Sequence, residues 1–326
     1  MGSGTGLPAG RWRWRVRLAG TVVCAVLLAG AWALMVVRLT GADSDTCLAV
    51  AVAGLPWAAA AGAVPLVAAP LLRAWRTTWV AVALVAVEIV VLAPRFTDDG
   101  VSVPADAPRL RVATSSAHAG AIDPAALVRL VREERVDVLA VAELSAATAR
   151  ELDRAGLAEV MPYRELRPEA DSSIYSRLPL RDGGLLDLDT AWPQTAATAQ
   201  ANGRPVRLIA VHTYYPLGDP RRWADDMTAL REEVERGSED TVLLGDFNAG
   251  LDHAAMRDLL AAGVTDTHDE LGEGWAPTWP AGGLLPPLVQ LDHVLHGPGL
   301  AAVSVSEHTL PGTDHRSVVA ELALVD

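Results

Sequence analysis

The chain contains no lysine, so all 27 of its basic residues are arginine. Its only cysteines, Cys24 and Cys47, lie before residue 50, and whatever folds beyond them folds without disulfides. A disulfide scaffold is therefore excluded. Collagen-like and disordered chains are excluded too, by 51% hydrophobic residues without a glycine period. The C-terminal part has no internal repeat and no low-complexity tract. Histidine is missing from the first 117 residues, and acid nearly so. Residues 1–95 set three acids (Asp43, Asp45 and Glu88) against eight arginines, a net of +5. Residues 96–326 set 37 acids against 19 arginines, a net of −18. The overall −13 thus averages two unlike parts.

Charge is also absent from Leu18 to Val37, which is 20 residues. At about 1.5 Å per residue these cross a hydrocarbon core of roughly 30 Å. Thr46 to Leu72 is uncharged as well, broken by Pro56, Pro65 and Pro70, which lipid-embedded helices tolerate. Thr77 to Pro94 holds only Glu88, expected near the outer end of its span, protonated or packed among the spans. Three transmembrane helices in a 1–95 anchor are the natural reading. Arg11, Arg13, Arg15 and Arg17 precede the first span, and Arg73 and Arg76 separate the second from the third. That placement predicts a cytoplasmic N-terminus and an extracytoplasmic C-terminal domain. A cleaved signal peptide fits less well, because the apolar stretch is too long and more spans follow.

Residues 96–108 read as a linker, rich in Asp, Ser, Gly and Pro. Beyond them, strands are expected at Arg109–Ser116, Val136–Leu144, Ser172–Arg177, Thr195–Gln200, Arg204–His212, Thr241–Gly245, Leu291–Leu295, Ala301–Val305 and Ser317–Leu324. Helices are expected at Pro124–Arg135, Ser145–Leu157, Asp219–Arg236 and Ala254–Ala262. Asn202-Gly203 is a hairpin signal, since both positions tolerate positive φ. Hairpins and crossovers together point to mixed α/β layers over 109–326.

Costly side chains recur where these strands stop. Glu143 ends one, His212 another, and Gly245-Asp246-Phe247-Asn248 a third; Leu291-Asp292-His293 and Thr313-Asp314-His315 follow. Strand ends on one sheet edge are a usual place to build a site. Each ending alone fits a solvated edge or a turn; five of them in one domain do not.

This series, with Ser176-Arg177-Leu178-Pro179, resembles the endonuclease/exonuclease/phosphatase superfamily over about residues 109–326. The resemblance implies a four-layer α/β sandwich, two mixed β-sheets with flanking helices. It also implies that Glu143 holds a divalent cation, Mg²⁺ or Mn²⁺, with Asp314 a second metal candidate. His315 would be the general base, oriented by Asp292, with Asp246 and Asn248 positioning water and phosphate. His212 would donate to charge developing on the phosphoryl oxygens. The sequence departs from the family pattern at Ser116, where an Asn normally helps to hold the metal, and at Ala142, where Gln is common. Ser116 is retained as a weaker metal candidate, since a hydroxyl reaches less far than an amide.

A net of −18 without lysine argues against a nucleic-acid partner, whose affinity rests on Lys and Arg. The spans followed by this domain resemble the membrane-anchored bacterial branch linked to glycopeptide (teicoplanin) resistance, the VanJ-like proteins. That resemblance implies a bacterial cell-membrane location and a phosphatase acting on a polyprenyl pyrophosphate or related membrane lipid phosphate. The alternatives are an extracellular endonuclease and a binding module with a weakened metal site. The apolar, proline-rich stretch from Trp275 to Leu288 is either a packed wall of the groove or a lip towards lipid.

Overall fold

The computed structural model describes residues 9–99, 102–237 and 240–325, and divides into two compact units. The helices are α1 (Ala9–Thr40), α2 (Leu48–Val52), α3 (Leu55–Leu71), α4 (Trp75–Leu92), α5 (Pro124–Glu133), α6 (Ala146–Arg154), α7 (Leu157–Val160), α8 (Pro220–Arg236), α9 (Ala254–Ala261) and α10 (Thr267–Glu270).

The first unit is built of α1, α3 and α4. Two segments, Arg11–Thr40 and Trp75–Phe96, are long and apolar enough to cross a membrane by length and composition. The expected middle span differs. Instead of one helix over 46–72 the chain forms α2 and then α3, of 17 residues. The cause is Pro56, which has no N–H to bond backwards and sits in the first turn of a new helix capped by Gly54. Glu88 is buried in this unit, with its Oε1 3.3 Å from where a methyl on Gly62 would lie. It packs against helix rather than lipid.

The second unit joins Ala42–Ala53 to everything from Pro94. The compact units therefore do not divide at residue 95, where the sequence placed the end of an anchor. Polar contacts explain the difference. The Ala254 N–H at the start of α9 donates to Asp43 Oδ2 at 2.9 Å, and His253 Nε2 donates to the Ala49 carbonyl at 2.9 Å. Arg95 forks onto Asp252 at 2.8 and 3.0 Å. Within the expected linker, the Asp99 N–H donates to the Glu270 carbonyl at 3.0 Å.

Twelve strands follow among the described residues: β1 (Arg109–Ser116), β2 (Val138–Ala142), β3 (Tyr163–Glu165), β4 (Ser172–Ser176), β5 (Leu180–Leu185), β6 (Thr195–Ala201), β7 (Arg204–His212), β8 (Thr241–Asp246), β9 (Thr265–Asp266), β10 (Asp292–His296), β11 (Leu300–Thr309) and β12 (Arg316–Leu324). They form two six-stranded mixed sheets, ordered β11-β12-β1-β2-β4-β3 and β5-β6-β7-β8-β10-β9. Alternation along each strand sorts the side chains. Val112, Leu208, Ala210, Leu244 and Val318 fill the space between the sheets. Ala113, Leu139 and Val141 pack outward with α5 and α6, whereas Ile209, Val211 and Leu243 pack with Trp223 and Met227 of α8. The result is helix, sheet, sheet, helix.

Local chemistry sets the element ends. Asp123, Ser145 and Asp219 cap α5, α6 and α8 through side-chain oxygens, and Pro124 and Pro220 occupy first turns. Asn202 and Gly203 turn the β6–β7 hairpin at φ 50° and 85°, so that Ala201 pairs with Arg204. One consequence of the topology decides the site. β1 and β2 run parallel, as do β7 and β8, whereas β4, β6, β10 and β12 run antiparallel to their central neighbours. The C-terminal ends of the first four therefore share an edge with the starts of the second four.

Candidate active site

That edge carries a cavity of about 470 Å³ lined by Glu143, Asp171, Trp192, His212, Tyr215, Asp246, Asn248 and His315, among others. Asp246 ends β8 at its centre. The preceding Gly245 has φ +154°, and a Cβ there would lie 1.9 Å from the Val211 carbonyl oxygen of β7. Only glycine lets β7 and β8 approach closely enough to bring His212 beside Asp246.

Two histidine–aspartate pairs flank that carboxylate. His315 Nδ1 meets Asp292 Oδ2 at 2.8 Å, and its Nε2 lies 3.8 Å from Asp246 Oδ2. His212 Nδ1 meets Asp171 Oδ2 at 2.7 Å, and its Nε2 lies 3.9 Å from the same Asp246 oxygen. In each pair the carboxylate accepts a hydrogen bond from Nδ1–H and so aims Nε2 into the cavity. Trp192 stacks on the His212 ring at 4.6 Å between centroids, and Gln194 exchanges two hydrogen bonds with the His212 backbone. Asn248 closes the loop: its N–H donates to Asp246 Oδ1 at 2.8 Å, and its Nδ2 to the Thr213 carbonyl at 3.1 Å.

Burial alone would disfavour charge on these groups. For His315 it is outweighed by the charges of Asp292 and Asp246 and the bond to Asp292, so the imidazole is pushed up to about 10. For His212 burial is likewise outweighed, by Asp171 and Asp246, and the pKa rises. Asp246, deeply buried and beside Asp292, is pushed up to about 6 against the lowering pull of His315. The sign for stability follows. His315 binds its proton more tightly folded than unfolded, so its contribution is full below about 6.5 and is lost as pH rises towards about 10. Metal-free protein should melt progressively lower across that range. His315→Gln should flatten the slope; an unchanged slope in a thermal melt series with chelator would refute the assignment.

Glu143 follows β2 with φ +54°, half-buried at the cavity wall. Ser116, at the end of β1, is buried, donates to Glu143 Oε1 at 3.3 Å and accepts from the His118 N–H at 3.1 Å. Its hydroxyl thus stands behind the carboxylate. Asp314 turns elsewhere: Trp279 Nε1 donates to its Oδ2 at 3.2 Å, and His118 Nδ1 lies 3.1 Å from its Oδ1. It lines an adjoining shallow cavity with His118 and Thr313. Ligand atoms of Asp246, Asp292 and His315 lie within 4.8 Å of one another. Carboxylates, a hydroxyl and imidazole, with no thiolate, form a donor set suited to a hard divalent cation.

Asp171, Trp192 and Gln194 escaped the sequence reading as functional residues, and His293 figured there only in the Leu291-Asp292-His293 strand ending, without a role. Asp171 and Gln194 stand just before β4 and β6, where antiparallel pairing brings strand starts to the cavity edge. His293 is fully buried behind the site, bonding Asp266 Oδ2 at 2.7 Å and the Ala249 carbonyl at 2.8 Å, and so ties β10 to the loop after Asn248.

Residues 111–315 match the model of the Endonuclease/Exonuclease/phosphatase family. The chain belongs to this family. Members of the endonuclease/exonuclease/phosphatase family are metal-dependent phosphoester hydrolases, and the chain is a hydrolase of this kind. Solved structures share the fold. A humanized D. rerio TDP2 aligns with TM-score 0.56 at 15% identity, over 66% of this chain and 98% of that one. An endonuclease/exonuclease/phosphatase from Beutenbergia cavernae DSM 12333 aligns at 0.53 and 20%, over 67% and 72%. A family protein from Bacteroides thetaiotaomicron aligns at 0.52 and 12%, over 68% and 99%. No curated protein matches the chain.

Proposed function

We propose that the protein is a membrane-anchored phosphatase acting outside the cell membrane on a lipid-linked phosphate, such as a polyprenyl pyrophosphate. The observation that carries this is the composition of the cavity wall. Two histidines, three carboxylates and an amide face it, and among the described residues no arginine lines it. A site that follows a nucleic-acid backbone needs several fixed cations. This one suits a single phosphate group held by a metal and two imidazoles.

Chain topology supports the location. Ala42–Ala53 and Pro94–Asp326 form one compact unit, and on this reading both would lie on one side of the membrane. α4, from Trp75 to Leu92, would then have Arg73 and Arg76 at its opposite end. α3 would return between the two sides. Its 17 residues span about 26 Å and suffice for a thin or locally thinned bilayer. α1, α3 and α4 would all cross, leaving the arginine-rich N-terminus and the Arg73–Arg76 turn in the cytoplasm.

Glu143, backed by Ser116, would hold a divalent cation, Mg²⁺ or Mn²⁺. When bound, the ion polarises a phosphoryl oxygen and offsets the carboxylate charge that favours protonated His315. His315 then takes a proton at Nε2 from the attacking water, with Asp292 fixing its Nδ1 proton. Asp246 and Asn248 orient that water. His212 donates from Nε2 to charge building on the phosphoryl oxygens. Asp314, turned towards His118 and Trp279, has no part in this scheme.

Purified full-length protein in detergent should release phosphate from polyprenyl pyrophosphate in the presence of Mg²⁺ or Mn²⁺. It should leave plasmid DNA intact. Nicking of plasmid DNA by wild type but not by His315→Ala, with no phosphate released from lipid, would replace this reading with the nuclease one.

A further inference from the structure

From Gly274 to Leu291 the chain carries no charged side chain, in a protein that is 21% charged overall. Within that run residues 280–288 form a finger closed at its base. The Trp279 N–H donates to the Val289 carbonyl at 3.0 Å, and the Leu288 N–H donates back to the Trp279 carbonyl at 2.8 Å. At its tip Leu284 is 105% exposed and Leu285 62%, next to Gly282-Gly283 and Pro286-Pro287. Two adjacent leucines, one fully and one mostly exposed, lose most of the gain that burial would give.

The base of the finger is fastened to the catalytic pair. Thr278 Oγ1 accepts from the Leu291 and Asp292 N–H groups at 3.0 and 3.2 Å. The Ala281 N–H donates to the Asp314 carbonyl at 2.7 Å, and the Arg316 N–H to the Thr278 carbonyl at 2.9 Å. His315 lies between those last two residues and bonds Asp292. The finger therefore holds both members of the pair from the backbone side.

We infer that the tip of this finger inserts into the lipid leaflet and that its base sets the His315–Asp292 pair on a lipid-held substrate. The inference rests on the membrane-anchored reading above. Three observations choose lipid over a protein partner. The larger segment of the unit that bears the finger starts at Pro94, two residues after α4 ends, so on that reading it stays tethered at the membrane surface. The finger lacks the charged and polar rim that protein interfaces keep, and charge is what hydrocarbon rejects. Trp279, about 40% exposed, closes the base of the finger behind the leucine tip, as amphipathic rings stand at headgroup depth. The two prolines after the tip limit the freedom lost on insertion.

The test uses full-length protein in phosphatidylethanolamine/phosphatidylglycerol vesicles. In a Cys24→Ala, Cys47→Ser background, Leu285→Cys carries an environment-sensitive fluorophore. A lipid-borne nitroxide should quench it, and aqueous iodide should not. Strong iodide quenching without nitroxide quenching would overturn insertion. Coupling is read separately. Leu284→Asp/Leu285→Asp should raise KM for bilayer-held polyprenyl pyrophosphate at least tenfold while leaving hydrolysis of soluble bis-p-nitrophenyl phosphate unchanged. An equal KM would overturn the coupling. If no lipid phosphate is turned over while the label stays shielded by lipid, the substrate reading fails and insertion stands.

Discussion

Replacing His315 with alanine lowers phosphate release by about a thousandfold at neutral pH, within the usual range for losing a positioned general base. The reason is geometric. His315 lies on the wall opposite His212, and its Nε2 is the atom held towards Asp246 Oδ2, at 3.8 Å. His212 has a different task in this scheme, donating from Nε2 to the phosphoryl oxygens, and Asp171 and the stack on Trp192 hold its ring in that place. Asp292→Asn separates orientation from basicity. The amide can still bond to the ring but can offer a donor where the carboxylate only accepts, so the tautomer is no longer imposed. That variant should also lose activity, and its pH–rate profile should shift to lower pH, because the charge of Asp292 is a principal force raising His315. A loss of activity with an unmoved profile would mean that Asp292 matters only for packing. Circular dichroism and melting with chelator report whether each variant remains folded.

How much of this arrangement was legible follows from what each residue answers to. Capping and periodicity are local, so Pro124–Glu133 and Pro220–Arg236 fold as helices close to their expected limits. The long apolar strands β1 and β7 coincide with their expected ranges. β9 has two residues, and β5 carries Asp182, Gly183 and Gly184 across a bulge at a sheet edge, so neither has a sequence period to detect. The carboxylate that ends β2 and the Asp246–Asn248 pair after β8 were visible as costly residues closing apolar runs. Asp171 was not. It is 41 residues from His212 and precedes a strand, and only the antiparallel direction of β4 brings it to the cavity. The same limit explains the anchor. Asp43 and Ala49 lie in an apolar region by composition, but their partners, Ala254 and His253, are more than 200 residues away. Register across the chain, not local pattern, decides such contacts.

The second large effect distinguishes two possible seats for the cation. Glu143 with Ser116 behind it forms one wall; Asp246, Asp292 and His315 form a compact group on the other. In the second group Asp292 is engaged by His315, and Asp246 Oδ1 accepts from the Asn248 N–H, so a metal there would compete with bonds that organise the catalytic pair. Glu143 is engaged by a single hydroxyl at a long 3.3 Å and carries no such duty. Glu143→Gln removes the charge while keeping the shape. Wild type at a hundred times Kd of Mg²⁺ or Mn²⁺ gains about 2.7 kcal/mol, roughly 5–10 °C in melting temperature for a domain of this size. Glu143→Gln should lose most of that gain and at least a hundredfold in activity, with its metal-free melting point close to wild type. If Glu143→Gln keeps the full metal-dependent shift and Asp246→Asn loses it, the cation sits on the opposite wall and Glu143 is only a neighbour. Ser116→Ala should fall between wild type and Glu143→Gln, because it loosens the carboxylate without removing it. Ser116→Asn would test whether the longer amide tightens metal binding. A metal-dependent shift larger than wild type would identify Ser116 as what limits affinity at this site.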